Sequence, residues 1–326
     1  MASTTPDGLL HALLLDRNGG AEPIEPASID SWQPEDGLLW LHLDVAESPP
    51  DKWLQTTLGL KPAVVETLTA DETRPRSLTL SEGLLTVLRG VNMNPGADPE
   101  DMVSIRLWIE PDRIVSTRRR RLLSVQDLEE ELEQGQGPKT SGEFLAELIG
   151  RLADRIGIFV DTIEDSLSSI EEAESEEAAH NRRRSLALVR RQIASVRRFL
   201  APQRDALDRL YRNPGNLLSD AETDRLREEA DRVTRYLEDL DLARERAVVL
   251  QEELMNELAQ MQNTRMYVLS VVAAIFLPLT FVTGLLGMNV GGLPGLDSPK
   301  GFLVALVVMV LTSAAMLIYF RFRKWL

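Results

Sequence analysis

Residues 266–289, MYVLSVVAAIFLPLTFVTGLLGMN, carry no charged side chain. At about 1.5 Å per helical residue the run crosses a hydrocarbon core roughly 30 Å thick. It reads as a first transmembrane helix, and the rest of the chain must be organised around it. A second apolar run, GFLVALVVMVLTSAAMLIYF, follows at 301–320, again without a charge. Two spans are therefore expected, joined by a loop over 287–300. That loop holds one acid and one base, Asp297 and Lys300, whereas Arg265 precedes the first span and Arg321, Arg323 and Lys324 follow the second. By the positive-inside rule both termini are expected in the cytoplasm, with 321–326 as a basic tail.

Nearly everything before Arg265 reads as soluble. The opening MASTTPDGLL lacks a basic region followed by an apolar core, so no cleavable signal is expected. The 326 residues include no cysteine, and the three histidines, His11, His42 and His180, are too scattered for a recognisable motif. That excludes a zinc finger or a thiolate metal site. A formal net charge of -15 argues against a general nucleic-acid binder and suits a body that attracts cations. There is no Walker sequence, dinucleotide fingerprint, nucleophile elbow or nucleophile–base constellation, so neither enzymatic activity nor a cofactor is expected.

Short apolar runs at 11–16, 37–45, 77–80, 84–91, 102–110 and 113–118 read as strands, and spaced leucines and valines over 50–70 as one or two helices. The loop NPGADPED at 94–101 and the pair Pro111-Asp112 look like hairpin connections, so the later strands should be antiparallel. The expectation is an α+β domain over 1–133. The run Arg118, Arg119, Arg120 and Arg121 reads either as an anion or lipid-headgroup site or, as such runs more often are, as a solvated strand end.

A Gly- and Pro-rich linker over 134–142 leads into two charged helices within 143–212. The first is amphipathic and ends in the acidic EDSLSSIEEAESEE. The second is basic, with Arg182, Arg183, Arg184, Arg190, Arg191, Arg197 and Arg198. Placed antiparallel, the pair is expected to match charge with charge. NPGNLLSD at 213–220 breaks the chain, and Ser219 with Glu222 has the spacing of a capping box. From there one helix over 219–286, about 100 Å long, is expected. Its apolar seam runs through Leu226, Ala230, Val233, Leu237, Leu240, Ala247, Leu254, Leu258 and Met261, interrupted at Arg244 and Gln251. The part before the membrane is a cytoplasmic stalk.

Two spans cannot enclose a water-filled path alone, so transport requires several copies in a ring. Steps of three or four residues along the first span give Asn263, Met266, Leu269, Ser270, Ala273, Leu277, Thr280, Gly284 and Met288. This face mixes small, hydroxylated and flexible apolar residues, without carboxylate or histidine. It fits a lining that passes a hydrated cation through hydroxyl and carbonyl dipoles, with apolar constrictions as gates. It fits equally well the close packing of small residues between transmembrane helices.

The tripeptide Gly287-Met288-Asn289, ending a helix of the form FLPLTFVTGLL and followed by a second span and a basic end, resembles the CorA family of divalent-cation transporters. The loop GMNVGGLPG, the terminal RKWL and, less specifically, DETRPR at 71–76 look like the family's zinc-transporting branch, ZntB. Magnesium-type members usually carry an acid soon after GMN, where this chain has Gly-Leu-Pro-Gly at 292–295 and its nearest acid at Asp297. The resemblance implies a funnel-shaped homopentamer whose outer mouth is formed by Gly287, Met288 and Asn289, with Asn289 amide oxygens holding the waters of the incoming ion. It implies Thr280, Leu277, Ala273 and Gly284 as pore lining, Met266 and Leu269 as a hydrophobic gate, and Glu252, Glu253 and Glu257 as a carboxylate ring at the cytoplasmic mouth. It also implies proton-assisted zinc uptake across the inner membrane.

The pore face lacks the nitrogen and sulfur ligands that zinc prefers, so Zn²⁺ is expected to pass largely hydrated. The pore chemistry does not separate Zn²⁺ from Mg²⁺, Co²⁺, Ni²⁺ or Cd²⁺. The other readings are a Mg²⁺/Co²⁺ channel of the same family and a membrane-anchored coiled-coil scaffold or sensor. The expected partners are other copies of the chain, divalent cations and the lipid bilayer, with no nucleic acid.

Overall fold

The computed structural model describes residues 6–173, 178–288 and 299–322. It divides into two compact units, Met1–Gln251 and Glu252–Leu326.

In the first unit the run LLWLHLD forms β3 (Leu38–Asp44), and every residue but the last is buried. A strand covered on both faces reads as an unbroken apolar run, which marks β3 as central. It pairs antiparallel with β1 (Leu9–Leu15) and parallel with β7 (Arg113–Arg118). The parallel pair was not foreseen. It is made possible by the long crossover that carries α1 (Asp51–Thr56), α2 (Pro62–Thr69), β4 (Arg76–Thr79), β5 (Leu84–Gly90) and β6 (Val103–Ile109). The short β2 (Ala21–Pro23) completes a seven-stranded sheet of order β2-β1-β3-β7-β6-β5-β4. Its later strands β5, β6 and β7 are antiparallel, as their connections predicted.

The sheet is covered on both faces. Leu39, Leu41 and Leu43 pack with Leu54, Leu58, Val64, Val65 and Leu68 of the α1–α2 segment. Trp40, pointing the other way by strand alternation, meets the ring of Phe144 with centroids 4.8 Å apart. Phe144 belongs to α4 (Ser141–Glu172), whose Leu152 lies 2.7 Å from where a Cβ on Gly90 would stand. A side chain at Gly90 would therefore force the Leu152 and Leu122 side chains to shift. A helix not anticipated, α3 (Leu123–Glu133), precedes α4 and buries Val125, Leu128 and Leu132.

Helix α5 (Ala178–Arg212) follows, and α6 (Asp220–Leu286) starts at the expected capping box. The Ser219 amide donates to Glu222 Oε2 at 2.6 Å, and the Glu222 amide donates to Ser219 Oγ at 3.3 Å. The seam residues Leu226, Ala230, Val233, Leu237, Leu240, Ala247 and Leu254 are buried. Where Arg244 and Gln251 interrupt the heptad, Ala243 and Leu250 are buried instead, one residue earlier.

The charge pairing extends to a third helix. Among the described residues the acids of α4 pair with arginines of α6: Glu147 with Arg225 at 3.6 Å and Asp154 with Arg232 at 2.5 Å, with Arg246 reaching Ser168 and Glu171. Arg232–Asp154 and Arg246–Ser168 are each 78 positions apart. A constant offset means that α4 and α6 run parallel in one register. Among the described residues Arg182 of α5 donates to the Ile170 carbonyl of α4 at 2.9 Å, while other arginines of α5 reach beyond α4: Arg197 to Asp241 of α6 at 2.5 Å, Arg190 to Gln251, and Arg191 to Glu100 at 3.3 Å. The run at 118–121 is solvated in part: Arg120 and Arg121 are exposed, Arg118 and Arg119 half-buried, and each has a partner. Arg118 meets Asp44, Arg119 meets Asp71, Arg120 meets Asp101, and Arg121 donates to Gln126.

In the second unit, the apolar end of α6 and α7 (Gly301–Phe322) are long and apolar enough to cross a membrane.

Candidate ion path along the first apolar helix

Partial burial marks the faces of the two apolar helices. On α6 it falls on Val271, Ala274, Ile275, Pro278, Leu279 and Val282, and on α7 on Gly301, Ala305, Met309, Thr312, Ser313 and Met316. Each set has the three- and four-residue spacing of one helical face. Ala273, Leu277, Thr280 and Gly284 are exposed, as are Met266 and Leu269. At 3.6 residues per turn these six share one side of α6, opposite the partly covered face. The structure therefore brings the expected lining and gate residues together on an open face. Leu277 is 75% exposed, Leu269 69% and Met266 67%. A Cβ placed on Gly284 would meet nothing within 4 Å, so that position is open.

The hydroxyls on this helix have a fixed polarity. Thr280 Oγ1 donates to the Phe276 carbonyl at 2.8 Å, and Ser270 Oγ donates to the Met266 carbonyl at 2.8 Å. With the proton directed inward to the helix, the oxygen lone pairs are left to accept hydrogen bonds from outside. Such a wall suits the outward-pointing hydrogens of a cation's water shell.

At the C-terminal end of α6 the Gly287 amide donates to the Thr283 carbonyl at 2.9 Å, closing the last turn, and Met288 is the last described residue before the loop. Asn289, the third member of the expected mouth, lies outside the described residues, as do 290–298 and the tail residues Arg323 and Lys324. At the other end Glu252, Glu253 and Glu257 are all exposed, but not together. Glu257 precedes Met266 by about two and a half turns and so falls on the opposite side of the helix, with Glu253 near it. Of the three, Glu252 alone lies near the lining face. The ring that the resemblance implies thus draws on two sides of one helix.

The residues and spacing match a family description over most of the chain: residues 35–324 fit CorA-like Mg2+ transporter protein. The chain belongs to this CorA-like family. Among its CorA-like relatives, the divalent cation transporter CmaX of Pseudomonas aeruginosa is 40% identical over 98% of this chain and 97% of its own. The zinc transport protein ZntB of Pectobacterium atrosepticum is 36% identical over 98% of this chain and 96% of its own. The structure of full-length CmaX superposes with a TM-score of 0.83 at 38% identity, covering 99% of both chains. The α+β domain, long helix and pair of apolar helices are thus a CorA-like architecture.

Proposed function

We propose that the protein carries divalent cations across the inner membrane, most directly Zn²⁺ inward, through a central path formed where several copies, five by resemblance, turn the open face of α6 toward one axis. The observation that carries this reading is the charge-free, acceptor-lined face of α6, which leads to Gly287 and Met288 and lies opposite the partly buried face. The ion enters past Asn289 and passes Gly284, Thr280, Leu277 and Ala273 with most of its water shell. It is gated by dewetting at Leu269 and Met266 and leaves near Glu252 into the cytoplasm. Both termini are cytoplasmic in this reading, and an inward proton gradient assists uptake.

Zinc is favoured by the relatives named zinc transport proteins and by the loop sequence after GMN. The broader name of CmaX keeps a Mg²⁺/Co²⁺ channel as the second reading. The test is uptake into proteoliposomes of the purified protein, comparing Zn²⁺ with Mg²⁺, with and without an imposed proton gradient. Zn²⁺ uptake that grows with the gradient is expected. Equal, gradient-independent flux of both ions would move the protein to the second reading, and no flux of either would leave a passive membrane anchor. Within the same assay Asn289→Ala should abolish uptake while assembly persists, because an apolar ring cannot hold the waters of an approaching cation. Unaltered flux in that variant sinks the proposed mouth.

A further inference from the structure

Two motifs that the ion path leaves unused, the arginine run at 118–121 and DETRPR at 71–76, meet in space at the C-terminus of α2. Arg119 Nη2 donates to the Thr69 carbonyl at 3.1 Å, Arg106 Nη2 to the Ala70 carbonyl at 2.8 Å, and Arg89 Nη2 to the Thr73 carbonyl at 2.9 Å. Arg106, on β6, is fully buried, yet its contacts are to carbonyls and not to a carboxylate. Its Nε and Nη1, with the Nε atoms of Arg89 and Arg119, are buried and have no acceptor among the described protein groups. Burial first, then the nearby Arg119 and Arg89, pulls the Arg106 guanidinium down to about 10.

Buried charges are ordinarily neutralised by close partners. The carboxylate that reaches this trio is Asp71, on Arg119, and its side chain is 84% exposed. Asp101 acts on Arg89 but is itself bound to Arg120, and Glu72 acts on Arg89 from the exposed loop. Three guanidiniums against one carboxylate and the roughly half negative charge of a helix C-terminus leave an excess of about one to two positive charges. That is the charge of a phosphate group, whose oxygens also match the planar fork of arginine.

We propose that Arg89, Arg106 and Arg119 form an oxyanion site for a phosphate group, in which the Asp71 carboxylate is an internal substitute that the anion displaces. The exposed side chains of Asp71, Glu72 and Arg74 belong to the loop that moves aside. A soluble phosphate and a lipid headgroup present the same chemistry.

The site is independent of the transported ion, and its test is a binding measurement. The full-length protein in phosphatidylcholine nanodiscs is titrated with inorganic phosphate at constant ionic strength, with chloride as reference, and followed by its thermal unfolding midpoint. Phosphate should stabilise the wild type more than chloride does. Asp71→Asn, at an exposed position, should bind phosphate about tenfold tighter, and Arg119→Gln about tenfold weaker. A purely structural Asp71–Arg119 pair predicts no gain in Asp71→Asn. Equal effects of phosphate and chloride on the wild type, or no tightening in Asp71→Asn, overturn the proposal. Arg119→Gln is read only if its circular dichroism matches the wild type; Asp71→Asn carries the test otherwise. Repeating the titration in phosphatidylglycerol nanodiscs separates the sources: weaker apparent phosphate binding there identifies a headgroup as competitor, and unchanged binding identifies a soluble anion.

Discussion

His42 shows how a single residue can carry a chemistry that its sequence neighbours hide. It sits in the central strand, fully buried, with Nδ1 2.7 Å from Ser116 Oγ, a hydroxyl that also accepts the Trp40 indole N–H at 2.8 Å. The register of β1 and β3 places His11 directly opposite, with the two rings stacked at 5.9 Å, so two histidines 31 positions apart in numbering are spatial neighbours. Burial, with smaller contributions from Arg118 and His11, lowers His42 from 6.5 to about 3. The unfolded chain therefore binds the proton first. Stability from the neutral ring is complete above about pH 6.5 and is lost as pH falls toward 3, at up to about 1.4 kcal/mol per pH unit. His42→Gln should be less stable than wild type near neutral pH, and the gap in thermal midpoint should narrow as the solution is acidified. A gap of constant size across that range would show that His42 does not titrate in this way.

At the scale of elements, the parallel seam between α4 and α6 is built from glycines as much as from ion pairs. A Cβ on Gly142, Gly150 or Gly157 would face Glu222, Glu229 or Tyr236 respectively, a repeat close to seven residues on both helices. The three positions are not equivalent. At Gly150 the nearest atom is 3.5 Å away, an ordinary contact, so Gly150→Ala should gain most of the helix-propensity difference, about 0.8 kcal/mol. At Gly157 the Tyr236 hydroxyl stands 2.7 Å away, and the same substitution must displace a group that Arg232 bonds. Gly157→Ala should therefore give no gain or a loss. Comparing the thermal midpoints of the two variants checks this, and equal shifts would mean that the seam does not hold α4 and α6 this closely. Glu147 and Glu229 on the same seam are raised above the ordinary carboxylate value chiefly by burial, and the nearby arginines, Arg225 and Arg151 for Glu147 and Arg232 for Glu229, only partly offset that cost.

For the whole molecule, the decisive issue is what covers the open side of α6. A chain without cysteine makes the experiment clean. Leu277→Cys in membranes should form disulfide-linked copies on oxidation if the proposed axis exists, whereas Leu303→Cys, on an exposed position of α7, should form far fewer. Monomer alone from Leu277→Cys would argue against a shared path. The gate makes a second demand: Leu269→Asn should raise resting cation flux, because a polar ring is harder to dewet. Flux equal to wild type in that variant would remove Leu269 from the gate.

The spans, the long helix, most strands and the capping box could be read from the sequence because each follows from local physics: length of apolar run, period of hydrophobicity, and the hydrogen bonds of one helix end. The open face of α6 was legible for the same reason, since residues on one helix face are fixed by spacing alone. Tertiary structure decided what depends on distant segments. It set β3 parallel to β7, stacked His11 on His42, matched the acids of α4 to arginines of α6, and gathered Arg89, Arg106 and Arg119 around the end of α2. Charge pairs and cross-strand neighbours carry no local signature, because any acid suits any arginine until the fold selects one by distance. Helix α3 lay between these cases. Its Val125, Leu128 and Leu132 have helical spacing, but three apolar positions in so acidic a segment acquire meaning only once the sheet is there to cover them.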